Sequence, residues 1–330
     1  MPMKLAITAP SRADLAGGTL DIWPLAFLFP DACTINVAVD AGVEMDMSDA
    51  GGIWSFSLDG KIQIFNDVET ILSSPWGLYG HIFKALPPPH PVSVTIRRQP
   101  PASSGLGGSS AVAAAVARGA ARLRGEKLSD AGLIALCRDA EAALMGYPTG
   151  DQDFYPPFCG GVCVIEHRLG GAALRRLPVH ASLHEAMILY HTGVAHHSGA
   201  NNWEVVRSAI DDKSGPAFRG LEAIARIARR MEEALRQENW RAVGQLIGEE
   251  WEVRRTLHPA FDHPRIGEAL EAARAAGAWG GKGCGAAGGG TVVILAPPEK
   301  RAFVAQALSR LPGRVLDARP TDAGMTILAE

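Results

Sequence analysis

Residues 100–114 read PPASSGLGGSSAVAA, a glycine- and serine-rich turn running directly into an alanine-rich helix start. Glycines let a backbone approach an anion closely, the unpaired amides of a helix's first turn point at it, and the helix dipole adds partial positive charge. That arrangement binds phosphate. Ser109 and Ser110 add hydroxyls for a phosphate oxygen or a metal ion. A Gly/Ser run alone also suits a flexible linker. The flanks argue against one: Val92, Val94 and Ile96 alternate as in a strand before the loop, and Ala111 to Leu123 is a strong helix former after it.

The rest of the chain narrows the classes. At 330 residues, 47% of them hydrophobic, it is long enough for one large domain or two moderate ones with real cores. A net charge of -3 without a basic tract argues against nucleic acid as a partner, which leaves small molecules. No apolar run is long enough for a membrane span, and MPMKLAITAP reads as a first strand rather than a leader, so a cytoplasmic location is the expectation. Cys33, Cys137, Cys159, Cys163 and Cys284 are scattered and read as buried thiols.

Strand-like and helix-like stretches alternate without a repeat, which points to a mixed α and β protein. Lys4–Ala9, Thr34–Val39, Ile53–Leu58, Lys61–Ile64 and Val92–Arg97 are the expected early strands, with Asp59-Gly60 as a hairpin turn. Helices are expected over Ala111–Arg124 and over Ser129–Met145, the second capped by Ser129 and ended by Gly146. Val162–Glu166 and Ala186–His191 read as strands, and Pro216–Trp251 as one long helical stretch with a solvated charged face. Strand Thr291–Leu295, helix Pro298–Leu311 and strands near Val315 and Ile327 follow. Gly170-Gly171 and Pro178 punctuate a boundary near residue 180, dividing the chain into 1–180 and 181–330.

Two further glycine-rich signals accompany the loop. GAWGGKGCGAAGGG, Gly277 to Gly290, contains Gly283-x-Gly285-x-x-Gly288, yet a helix precedes it and a strand follows, the reverse of a dinucleotide fingerprint. Nor is it a Walker A loop, because Lys282 is followed by Gly283. A packing turn is the alternative, although eight glycines in fourteen residues exceed a turn's need. APSRADLAGGTLDIWPL, Ala9 to Leu25, reads as a strand ending in Arg12 and a Gly-Gly turn leading to Asp21.

Together the three motifs resemble those of the GHMP kinase superfamily of galactokinase, homoserine kinase, mevalonate kinase and phosphomevalonate kinase, in the family's order. The resemblance covers most of the chain and implies a two-domain α+β fold. The first domain would be related to the second domain of ribosomal protein S5, and the second would be ferredoxin-like, with the active site between them. Arg12-x-Asp14-Leu15-Ala16-Gly17-Gly18-x-x-Asp21-x-x-Pro24-Leu25 and Gly-Leu-Gly-Gly-Ser-Ser-Ala are most similar to the fucokinase and heptose 7-phosphate kinase branch, whose members phosphorylate an anomeric hydroxyl. Glu141 followed by Gly146-x-Pro148-x-Gly150-x-x-Asp153 resembles the galactokinase stretch holding a metal-ligand glutamate and a catalytic aspartate, and Gln152-Asp153-x-Tyr155 resembles a heptose-kinase signature. That alignment selects Asp153 over Asp151.

The resemblance implies ATP and Mg²⁺ as cofactors and a sugar or sugar phosphate as the small-molecule partner, with a monomer or homodimer both open. Asp153 would take the hydroxyl proton, and Arg12 would keep Asp153 ionised and face the transferring phosphoryl. Pro101, Ser104, Gly105, Leu106, Gly107, Gly108, Ser109, Ser110 and Ala111 would cradle ATP; Ser110 and Glu141 would hold Mg²⁺; Gly18, Asp21 and Gly285 would meet the substrate. Without that context, Asp153 and Asp21 read as turn residues, Glu141 as a solvated helix residue and Arg12 as a surface ion-pair member. Trp76, Tyr79 and His81 suit either an adenine wall or a core. After Thr192-Gly193, where the branch carries a basic residue, this chain has His196-His197, which predicts a preference for a free sugar over one bearing a distal phosphate. The alternatives are a kinase of a non-sugar alcohol, of mevalonate or homoserine type, and a non-catalytic sugar or nucleotide sensor.

Overall fold

The structure is a computed structural model that describes residues 3–29, 32–49, 51–194, 200–285 and 288–329; His196 and His197 lie outside the described residues. In the first half stand β1 (Lys4–Ala16), α1 (Leu25–Leu28), β2 (Cys33–Ser48), β3 (Trp54–Leu58), β4 (Lys61–Phe65), α2 (Val68–Leu72), α3 (Gly77–Ala85) and β5 (Ser93–Arg98). Next come α4 (Gly108–Leu123), α5 (Asp130–Met145), α6 (Tyr155–Cys159), β6 (Val162–Arg168) and β7 (Gly171–Leu177). The second half holds α7 (Ala181–Ala186), β8 (Met187–His191), α8 (Ala200–Asp211), α9 (Pro216–Arg236), α10 (Trp240–Arg254) and α11 (Pro264–Ala275). It closes with β9 (Gly280–Gly283), β10 (Thr291–Leu295), α12 (Arg301–Leu308), β11 (Arg314–Val315) and β12 (Thr326–Ala329). Among the described residues, no helix is long and apolar enough to cross a membrane.

Two sheets result, giving a two-part α+β fold. The first has the order β12-β1-β2-β5-β3-β4, with β6 on β2 and β7 on β6; the second is β11-β8-β10-β9 and antiparallel throughout. The sequence of β2 shows why the layers stack. Its first half, Cys33 to Val39, is buried on both faces, whereas its second half alternates, with Val43, Met45 and Met47 inward and Glu44, Asp46 and Ser48 less buried. One side packs against α3, α4 and α5; the other forms a core with α9, α10 and the second sheet, in which Leu15, Ile35 and Val37 meet Leu189, Val293 and Leu246. Alanine-rich α4 suits the crowded layer, and Gly119 lets it approach closely enough that a Cβ there would stand 2.5 Å from Met47 Sδ.

Several elements differ from the sequence expectations. β1 does not end near Ala9 or at Arg12. It continues to Ala16, absorbing Pro10 at a register shift between Ala9 and Ser11, so Arg12 and Asp14 sit on a strand. The stretch Pro216–Trp251 is two helices, broken where Glu238 takes a φ of 52° and the Asn239 side chain caps the amide of Ala242. The expected division at residue 180 is crossed in both directions: β12 pairs with β1, and Leu20, Ile22, Leu25 and Phe29 pack into the second sheet's core beside Ile188 and Ile294.

Gly17 fixes the exit from β1. Its φ is 81°, and a Cβ there would lie 2.0 Å from the Cys33 carbonyl oxygen, whereas Gly60, at φ 76° in the β3–β4 turn, has open space around it. Gly17→Ala is therefore expected to cost more than about 4 kcal/mol of stability and Gly60→Ala about 1 kcal/mol. Chemical denaturation of the two variants checks this, and equal losses would show that the close approach at Gly17 relaxes.

Candidate active site

Strand period places Arg12 and Asp14 on one face of β1, opposite the core side chains Ala13 and Leu15. Both charges are buried. The Arg12 guanidinium makes a two-pronged contact with Asp153, Nε donating to Oδ1 at 2.7 Å and Nη2 to Oδ2 at 2.5 Å, while Nη1 donates to the Gly105 carbonyl oxygen. Asp153 is carried by the 3-10 turn Gln152–Phe154 and keeps its side chain 30% exposed. Burial works against the Arg12 charge, but Asp153 and Asp14 raise its pKa above the ordinary arginine value. The carboxylate thus stays paired with a permanent cation while remaining open to a cavity.

Asp14, on the same face as Arg12, joins a chain of ions. Lys282 Nζ donates to Asp14 Oδ2 at 2.9 Å and lies 3.1 Å from Glu250 Oε2; Arg254 Nη2 reaches Glu250 Oε1 at 2.6 Å and the Gly18 carbonyl at 2.8 Å. All four side chains are essentially inaccessible. Burial opposes the Asp14 charge, but Lys282, Arg254 and Arg12 outweigh it and hold the carboxyl below its usual range. Lys282, which as part of a glycine-rich string showed no role, is the link from β9 to β1.

The loop between β5 and α4 has the form expected for an anion cradle. Gly105 and Gly107 have φ values of 73° and 70°, Ser103 one of 55°, and no side chain caps the amides of α4's first turn. A Cβ on Gly107 would meet Arg12 Cγ at 3.2 Å, and one on Gly285 would stand 3.4 Å from the Gly105 carbonyl oxygen. The loop is seated by two backbone bonds, Arg12 N to Leu106 O at 3.0 Å and Thr291 N to Ser104 O at 2.7 Å. All three glycine-rich motifs therefore meet at one place.

They line one cavity of about 370 Å³, within the range of small-molecule sites. Arg12, Gly18, Asp21, Pro101, Ser104, Gly105, Gly107, Gly108, Ser109, Ser110, Glu141, Asp153 and Gly285 all contribute to its wall. Leu106 and Ala111 do not: being apolar, their side chains turn into the two cores beneath the loop. Asp151 is also off the wall, buried near Arg138 and His167. Trp76 stacks on Phe56 at 4.8 Å in the core, and His81 is off the wall, whereas Tyr79 both touches that core and lines the cavity with Tyr147 and Met145. Gln152, from the heptose-kinase-like signature, and Arg254 line it too, as do Thr19 and Asn202, which carried no signal in the sequence because they meet only through a contact between distant segments.

The cavity is short of positive charge. Burial and neighbouring Asp153 push Glu141 up to about 7, and burial with Asp151 pushes Asp21 up to about 8. Among the described residues, no cluster of three or more His, Cys, Asp or Glu side chains forms a metal cage. One hydroxyl and one carboxylate, Ser110 and Glu141, instead fit Mg²⁺, which takes few protein oxygens and completes its shell with phosphates and water. Because the folded state holds protons on Glu141 and Asp21 that the unfolded chain has released, their contribution to stability is full below pH about 4 and is lost as pH rises to about 8. Without nucleotide and Mg²⁺, the unfolding midpoint is expected to fall between pH 6.5 and 8, and less steeply in Glu141→Gln. An identical slope in that variant would contradict the Glu141 assignment.

The chain matches two family models, GHMP kinases N terminal domain over residues 73–161 and GHMP kinases C terminal over residues 231–313, together just over half of its length. The curated D-glycero-alpha-D-manno-heptose 7-phosphate kinase of Campylobacter jejuni is 24% identical over 343 residues, spanning 96% of this chain and 96% of that protein. A D-glycero-D-manno-heptose 1-phosphate kinase structure from Bacteroides thetaiotaomicron superposes with a TM-score of 0.74 at 21% identity, over 98% of both chains. Lactococcus lactis galactokinase complexed with galactose gives a TM-score of 0.80 at 15% identity, over 98% of this chain and 95% of that one. With both family domains in order, relatives matched end to end and the three glycine-rich motifs converging on one cavity, the chain belongs to the GHMP kinase family.

Proposed function

We propose that this kinase uses ATP and Mg²⁺ to phosphorylate the anomeric hydroxyl of a sugar or sugar phosphate. The observation that carries the reading is the Arg12 guanidinium, which holds both oxygens of Asp153 and also touches the phosphate-type loop at Gly105. A proton acceptor, a cation and an anion cradle are thereby fixed within one contact. The polar lining of Thr19, Asp21, Gln152 and Asn202 suits a polyol better than an apolar alcohol.

In this reading the sugar hydroxyl oxygen forms a bond to the γ-phosphorus, the bond from that phosphorus to the bridging oxygen of ADP breaks, and the hydroxyl proton passes to Asp153. Each Asp153 oxygen keeps lone-pair capacity beyond its Arg12 bond. Arg12 orients the acceptor through its two-pronged contact and lies where the transferring group's charge is stabilised. The loop amides from Gly105 to Ser110 bind phosphate oxygens, and Tyr79, Tyr147 and Met145 wall the cavity beside them, where a nucleobase fits. Mg²⁺, held by Ser110 and Glu141, would neutralise β- and γ-phosphate charge.

Asp153→Asn is expected to lower kcat by at least about a thousandfold while leaving ATP affinity within a few-fold, and Asp151→Asn to lower it far less. Equal losses would overturn the assignment. Glu141→Gln and Ser110→Ala are expected to raise the Mg²⁺ concentration for half-maximal rate, and unchanged metal titrations in both would place the ion elsewhere. A screen of free and phosphorylated hexoses and heptoses for ADP release, with phosphorus NMR of the product, tests the acceptor class. A phosphate on any carbon but the anomeric one would contradict it.

A further inference from the structure

We infer that Asn202 is a specificity-determining residue, presenting its side-chain NH₂ as a donor to an acceptor oxygen of the substrate away from the reacting hydroxyl. The inference rests on the kinase reading above and concerns the part of the cavity built by residues 18–22 and α8. Thr19, Asn202 and Arg254 all line it. Their hydrogen bonds run in one direction. Arg254, which only donates, gives an N–H from Nη1 to Thr19 Oγ1 at 3.3 Å, and the Thr19 hydroxyl gives its own proton to Asn202 Oδ1 at 3.0 Å. With its oxygen engaged by Thr19, the amide's unengaged group is Nδ2, which carries two donors. Among the described residues, Nδ2 has no partner.

The relay is held from both ends. Thr19 has a φ of 80°, a conformation rare for a β-branched residue, which persists only where surrounding contacts over-determine it. Arg254 donates Nε and Nη2 to Glu250 Oε1 and Nη2 to the Gly18 carbonyl, so its charge is balanced inside the protein rather than offered to substrate. Arg254 is thus a positioning residue, and Asn202 makes the substrate contact. A donor amide suits a substrate hydroxyl or a phosphate oxygen alike; the two sources are separable by assay.

The test measures kcat and KM for the acceptor and for ATP, with melting temperature, in wild type, Asn202→Ala, Asn202→Asp and Thr19→Val. Asn202→Ala is expected to raise the acceptor KM about 3- to 10-fold, with ATP KM and melting temperature nearly unchanged. Thr19→Val, which frees the amide to rotate, is expected to move the acceptor KM in the same direction. For Asn202→Asp, a loss at least tenfold greater on a distally phosphorylated acceptor than on the free sugar identifies a phosphate oxygen; equal losses identify a hydroxyl. An acceptor KM within twofold of wild type in both Asn202 variants, or an equal rise in ATP KM, overturns the inference. Should wild type accept only a non-sugar alcohol, the substrate reading fails by itself, and the same KM comparison on that alcohol still decides the role of Asn202.

Discussion

Asp14 is a carboxylate with almost no access to water, held between two cations of different parts of the fold. Removing such a charge from water costs several kcal/mol unless partners compensate it. Here compensation runs as an alternating series, Asp153, Arg12, Asp14, Lys282, Glu250 and Arg254, whose formal charges cancel. Each member is tolerable only because its neighbours are in place. Since β1, β9, α10 and the 3-10 turn that carries Asp153 contribute the ions, the first and third glycine-rich motifs hold a single relative position.

That constraint reaches the chemistry through β1. With Asp14 fixed by Lys282, the strand's two-residue period sets where the Arg12 side chain leaves the backbone, and Arg12 in turn fixes Asp153 and touches the Gly105 carbonyl. Gly285 and Gly107 are glycine at the points where a Cβ would crowd this arrangement. At the other end of the series, Arg254 sets the Thr19 hydroxyl and through it Asn202. One buried network thus reaches both the Arg12–Asp153 contact and the Asn202 amide on the cavity wall, which is a reason to retain ions where apolar packing would be cheaper.

Local structure was legible where it depends on near neighbours. Ser129 caps α5 and Gly146 ends it at φ 75°, Asp59-Gly60 turns β3 into β4 with both φ values positive, and the strand–loop–helix around Gly105 stands as read. What escaped was set at long range or by a single unobtrusive residue. Pro10 reads as a stop, but a register shift lets β1 continue; Asn239 in a charged helical stretch gives little sign of capping a new helix. The partners of Lys282 lie 268 residues away on β1 and on a helix that reads as solvated, and a glycine-rich string gives no hint of burial. The first-motif residues of the candidate site were readable because the motif is compact, whereas Asn202 belongs to a helix that meets Thr19 only in the folded chain.

The central claim is that the Asp14–Lys282 pair is one coupled unit on which the two halves depend. A double-mutant cycle in folding stability, with Lys282→Met, Asp14→Asn and the double variant, measures it most directly. Each single change strands an uncompensated buried charge and is expected to cost about 3–5 kcal/mol. The double variant leaves Arg12–Asp153 and Glu250–Arg254 as balanced pairs, so its loss is expected to fall short of the sum by at least about 2 kcal/mol. Losses that add to within about 0.5 kcal/mol would show that the two groups do not act together and would contradict the account.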